Sequence, residues 1–115
     1  MITADQLLAH AVGDYVLQSD WMATNKTSRT IVALIHALCY AIPFLLFSPS
    51  ALGLAVIIGS HLVIDRFRLA GWLNWLKNGL PRPRTPTGFP ADRPEYLVVW
   101  LVIITDNILH IAING

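Results

Sequence analysis

Residues 30–64 read TIVALIHALCYAIPFLLFSPSALGLAVIIGSHLVI, 35 consecutive positions without Asp, Glu, Lys or Arg. One bilayer crossing takes about 20 residues at a rise of about 1.5 Å each, so this run holds nearly two. Ser48-Pro49-Ser50 breaks it near the middle, where Pro and Ser favour turns and helix starts. The stretch therefore reads as a helical hairpin, Thr30–Phe47 followed by Ser50–Ile64. Further along, Tyr96–Asn114 is apolar but for Asp106 and opens after Arg93-Pro94-Glu95. Toward the N-terminus, Leu7–Leu17 is apolar apart from His10 and Asp14, with Thr3 or Asp5 as candidate helix cap. It lacks the basic start and small-residue cleavage site of a signal peptide. It is short for a crossing and works as one only when His10 and Asp14 face other helices. The expected fold is an all-α integral membrane four-helix bundle with short loops, one domain over residues 1–115, with three crossings as the alternative.

Composition agrees with a membrane setting. The chain is 55% hydrophobic and 13% charged, about half the charge of an ordinary soluble domain. That apolar fraction excludes intrinsic disorder. Cys39 is the only cysteine, which excludes a disulfide-stapled module. A net charge of +1 gives no nucleic-acid footprint, so the expected partners are membrane lipids and not nucleic acid.

Two segments are not expected to cross. Arg66–Asn78 sets Leu69, Trp72, Leu73 and Leu76 at helical spacing beside Arg and Lys, an interfacial amphipathic pattern. Leu80–Pro94 holds five of the seven prolines and reads as an irregular loop before the last helix. Lys and Arg fall only between the first and second crossings and between the third and fourth. Alternate loops are thus basic, which puts those loops on the cytoplasmic side and both termini on the other.

The histidines and acids inside the apolar runs point to a site. All four histidines lie there, with Asp14, Asp65 and Asp106. A carboxylate at mid-bilayer costs at least about 2.5 kcal/mol, so each is a functional candidate. Each acid has a histidine four residues away: His10/Asp14, His61/Asp65 and Asp106/His110. Residues four apart share a helix face. A given Asp has roughly a 7% chance of such a neighbour, so three in three is poorly explained by chance. In an antiparallel bundle the reversed order of the third pair cancels the reversed helix. All three pairs then put His on the outer side and Asp about 6 Å deeper. His36 adds a nitrogen from the remaining helix.

Seven N and O donors, His10, Asp14, His36, His61, Asp65, Asp106 and His110, would thus converge from four helices. Such a set suits one or two divalent ions, Zn first, with Mn or Fe as alternatives. Bundle interiors build such sites from i, i+3 and i+4 pairs. The competing readings are a proton or ion relay and a purely structural hydrogen-bonded network. Asn107 and Gln18 are candidate orienting partners of the ligands. Asp20, Lys26 and Arg29 read as solvated residues, with headgroup binding as the alternative, and Arg66 as a residue that reaches to the interface.

The strings LLAHAVGDYVLQSDWMATNK (Leu7–Lys26), HLVIDRFRLA (His61–Ala70) and GFPADRPEYLVVWLVIITDNILH (Gly88–His110) resemble the signature blocks of domain-of-unknown-function family 3307. These are small bacterial and phage integral membrane proteins. The resemblance implies membrane residence, with the bacterial inner membrane as the expected location, and no assigned activity. The buried His/Asp pattern is more loosely similar to the bacterial membrane-bound metal-dependent hydrolases.

The function expected on these grounds is a metal-dependent hydrolase acting on a lipid or membrane-associated substrate. The metal would lower the pKa of a bound water toward about 7 and polarise the scissile group. Asp14 or Asp65 would serve as general base. The rival class is non-enzymatic: a metal or proton carrier, or a phage-type membrane effector with a structural metal site. A carrier of four short helices would need a homo-oligomer.

Overall fold

Thr3 starts the first helix with a reciprocal cap. Its hydroxyl accepts from the Gln6 N–H at 3.3 Å, and the Gln6 side chain accepts from the Thr3 N–H at 3.0 Å. In the computed structural model, which describes all 115 residues, the chain forms six α-helices and no strand. Helix α1 (Ala4–Ala11) runs directly into one π-turn, Val12–Val16, closed by the Leu17 N–H on the Val12 carbonyl at 2.9 Å. The short α2 (Asp20–Asn25) follows, with the Ser19 hydroxyl accepting from the Met22 N–H at its start.

Helix α3 (Thr30–Ala41) tightens into a 3₁₀ segment over Ile42–Phe47, where Pro43 lacks the N–H a regular turn would use. It stops at Ser48, whose φ of 48° is left-handed. Ser50 caps α4 (Ala51–Phe67) by accepting from the Gly53 N–H at 3.0 Å. Arg68, also left-handed at φ 53° and ψ 50°, separates α4 from α5 (Leu69–Lys77). The proline-rich stretch is irregular, as expected, and α6 (Glu95–Asn114) ends the fold.

The all-α expectation therefore holds, with six helices in place of four. The additions are α2, in a segment read as a loop, and α5, which the amphipathic pattern placed outside the crossings. Two helical segments are long and apolar enough to cross a membrane: Thr30–Phe47 at 18 residues and Glu95–Asn114 at 20. Helix α4 has 17 residues, and α1 with its π-turn is shorter still.

Close packing centres on α3. Ala33, Ala37 and Ala41, spaced four apart, are all buried, and this small-residue stripe lets neighbouring backbones approach. Gly13 does the same from the π-turn: a Cβ there would lie 2.7 Å from the Tyr40 ring and 2.8 Å from its carbonyl oxygen. Gly88, at φ +79°, lays the proline-rich loop on the backbone of α5, where Asn78 donates to its carbonyl at 3.1 Å. The remaining packing inverts the usual polarity. The buried residues of α6 are Thr105 and His110, whereas its Leu97, Val99, Trp100, Ile104 and Ile108 are exposed. On this helix the polar side chains point inward and most apolar ones outward.

Candidate metal centre

The inward polar face is where the paired histidines and acids meet. Asp14 arrives from the centre of the π-turn, His36 from α3, and His61 and Asp65 from successive turns of α4. All four are buried. His36 Nε2 and His61 Nε2 lie 2.9 Å apart. Asp14 Oδ1 lies 3.3 Å from the first and 3.4 Å from the second. Asp65 Oδ2 lies 3.2 Å from each.

Donor atoms bound at about 2.0–2.1 Å in a tetrahedral site sit about 3.3 Å from one another. Five of the six edges of the Asp14–His36–His61–Asp65 set fall between 2.9 and 3.4 Å. The sixth, between the carboxylates, is within 4.8 Å. This cluster could hold a metal ion. A second group, Asp14, Asp106 and His110, satisfies the same 4.8 Å criterion and shares Asp14 with the first. His110 Nε2 joins the two, at 3.2 Å from Asp65 Oδ1 and 3.4 Å from Asp106 Oδ2.

The rings are oriented by stacking. Buried Nδ1 atoms of His36, His61 and His110 have no hydrogen-bond partner within the chain, unlike the carboxylate or carbonyl that ordinarily fixes a ligating ring. His61 instead stacks on Tyr40, at 3.7 Å and 15°, and lies against His110, at 4.2 Å and 29°. His36 meets His61 edge-on at 4.7 Å. Asp14 Oδ1 is buried and also lacks a hydrogen-bond partner, which is what an acceptor waiting for a cation looks like.

His10 departs from the expected ligand set. Its Nδ1 lies 2.8 Å from the Tyr40 hydroxyl and its Nε2 2.6 Å from Asn107 Oδ1, leaving Asp14 at 3.8 Å. Both ring nitrogens are thus engaged in a polar network that Asn114 extends by donating to the same Tyr40 oxygen. Six of the seven expected donors come together, and His10 supports them from beside. Asn107 does act as an orienting partner, although toward His10 and not toward a member of either donor group.

Lys26 was legible only as a solvated charge, yet its Nζ lies 2.6 Å from Asp65 Oδ2 and 3.5 Å from His36 Nε2. Nothing in a polar stretch of sequence marks one lysine as turned inward. Tyr40 carried a usable signal, since it lies one helical turn beyond His36 on the same face. Arg66 is likewise anchored inside the protein: it donates to the Thr27 carbonyl at 2.7 Å and to the Thr30 hydroxyl at 3.1 Å. That clamp ties the turn carrying Lys26 to the end of α4.

A cavity of about 260 Å³ opens beside the carboxylates, with Asp14, Asp65, Asp106, Lys26, Arg68 and Tyr15 in its lining. The family described as proteins of unknown function, DUF3307, matches residues 2–113, a span that contains every residue of the centre. The chain belongs to the DUF3307 family. No curated protein and no solved structure matches this DUF3307 chain.

Proposed function

We propose that this DUF3307 protein is a membrane-embedded, metal-dependent hydrolase acting on a lipid or another membrane-associated substrate. One observation carries the reading: four donor atoms at metal-ligand spacing stand next to a cavity that reaches the same carboxylates. A catalytic site keeps an open position, so three of the four, His36, His61 and Asp65, would hold the ion and leave the Asp14 side, which lines the cavity, open. The mixed N and O donors favour Zn, with Mn or Fe as alternatives, and a second ion would draw on Asp106 and His110.

The bound ion would supply a water of lowered pKa and polarise the scissile carbonyl or phosphoryl group. With those three as ligands, Asp14 is the better general base of the two candidates, because its Oδ1 has no hydrogen-bond partner and it lines the cavity. Both oxygens of Asp65 already face Lys26 or a histidine, which makes it the stronger ligand.

Membrane embedding is supported by the inverted polarity of α6, since a contiguous exposed apolar surface marks a membrane or partner contact. Four crossings would be Ala4–Val16, Thr30–Phe47, α4 and α6, with α5 at the interface. Met1 and Gly115 lie together, 3.4 Å apart between amine and carbonyl, as an even number of crossings requires. The termini would face away from the cytoplasm, and the domain would be one membrane-embedded unit.

The deciding experiment is metal content of the detergent-purified protein beside His36→Ala, His61→Ala and Asp65→Asn. About one or two ions per chain in the wild type, and less than a fifth of that in the variants, is the expected result. A metal-free wild type would end the hydrolase reading. A second reading, a proton or metal carrier, draws on two polar chains, Lys26–Asp65–His110 and His10–Tyr40–Asn114, whose His110 and His10 rings lie 5.7 Å apart. Flux in proteoliposomes with no lipid hydrolysis would favour it.

A further inference from the structure

The cavity beside the centre carries a charge pattern that a metal-dependent hydrolase of unspecified substrate does not explain. Three carboxylates line it, as a dication requires, but so do Lys26 and Arg68. Positive side chains weaken cation binding by direct repulsion. Two of them in a metal-site cavity make sense when something anionic sits between them and the ion.

Arg68 is held there against backbone preference. Its left-handed φ of 53° is a conformation that suits Gly or Asn. The break between α4 and α5 would be made more easily by either, yet an arginine occupies it. Its guanidinium has five N–H donors, and none is used in a hydrogen bond or ion pair within the chain.

Lys26 is positioned by the Arg66 clamp on Thr27 and shares Asp65 Oδ2 with His36 and His61. A cation entering that donor set repels the ammonium, and the open volume next to it is the cavity that Lys26 already lines. Ile64, Val102 and Ile103 add an apolar part to the lining, beside the polar Gln18, Thr27 and Thr87. Pro86 of the proline-rich loop lies against Gly71, where any side chain would collide with its carbonyl.

We propose that this cavity binds a phosphate-bearing substrate, its phosphoryl oxygens held by Lys26 and Arg68. The proposal rests on the metal reading of the centre. A tetrahedral phosphoryl group has enough oxygens to face a lysine, an arginine and an ion at once, which a carboxylate does not. Lys and Arg clamps beside metal ions stabilise the charge of phosphoryl transfer. In the hydrolysis a water oxygen bonds to phosphorus as the ester P–O bond breaks. Asp14 takes a proton from the water, the leaving alkoxide gains one from solvent, and no oxidant or reductant is needed. Phospholipid headgroups and soluble phosphomonoesters share this chemistry.

The test uses the full chain in detergent micelles, with metal content measured in every sample. Binding of radiolabelled inorganic phosphate is compared among wild type, Lys26→Gln and Arg68→Asn, the second chosen because Asn tolerates the left-handed backbone. Each variant should bind phosphate at least tenfold more weakly without losing metal. Phosphate release is then measured from phosphatidic acid in mixed micelles and from glycerol 3-phosphate. Release from the first alone assigns a lipid source, and release from the second a soluble one. Metal-loaded wild type that binds phosphate no better than the variants, or releases it from neither probe, overturns the proposal and leaves the metal reading standing. Metal-free wild type overturns the metal reading. In that case phosphate binding that still depends on Lys26 and Arg68 keeps the anion pocket, and binding that does not removes it too.

Discussion

Lys26 Nζ and Asp65 Oδ2 lie 2.6 Å apart, and the same Asp65 oxygen is 3.2 Å from both His36 Nε2 and His61 Nε2. The ammonium therefore sits at the edge of the donor set, where it offsets carboxylate charge and opposes a second cation. Unit charges 4 Å apart interact by about 4 kcal/mol at an effective dielectric near 20. Part of that is relieved when Lys26 swings into the cavity. Lys26→Met is expected to tighten metal binding at least tenfold, about 1.4 kcal/mol, in competition with a chromophoric chelator. Unchanged or weaker binding would show that the lysine does not oppose the ion.

Metal removal should unfold the centre's contribution to stability. A ligand at about 100 times its dissociation constant stabilises the native state by about 2.7 kcal/mol. Chelation is expected to lower the melting temperature of the wild type by several degrees and to leave His61→Ala unmoved. An equal drop in both proteins would place the effect elsewhere than at this histidine.

Gly13→Ala tests the approach of the π-turn to α3. The added methyl would meet the Tyr40 ring at 2.7 Å and the Tyr40 carbonyl at 2.8 Å, so the backbone has to yield. Overpacking of this kind costs about 1–3 kcal/mol, and because the displaced Tyr40 ring stacks on His61, metal content should fall as well. Denaturant titration with parallel metal analysis reads both, and a variant as stable as wild type would show that the contact is loose.

Tyr40→Phe separates support from ligation. The hydroxyl meets His10 Nδ1 and accepts from Asn114, so its loss strands buried polar groups at a cost of about 1–3 kcal/mol. The ring that stacks on His61 remains. Stability should fall while metal stoichiometry stays the same. Loss of metal would instead mean that the hydroxyl network holds the donors in place.

Much of this was legible along the chain because it depends on local rules. The uncharged run over residues 30–64 fixed two helices and their break, and Ser50 proved to be the cap of the second. The four-residue spacing of His61/Asp65 and Asp106/His110 guaranteed that each pair shares a face, whatever the helices do in space. Six of the seven donors picked out in this way meet in the fold.

An all-α chain whose His and Asp residues line common helix faces follows from residue spacing, because helical periodicity sets face membership within each element. Tertiary structure alone decided which atoms on those faces come within ligand distance. The alanine stripe of α3 and the bare Cα of Gly13 set how near the helices approach, and the π-turn sets the rotation at which Asp14 enters. Those choices sent His10 to Tyr40 and Asn107, and Arg66 drew the turn carrying Lys26 inward. Interhelical distance and rotation come from packing between segments far apart in the chain, and spacing within any one segment carries no record of them.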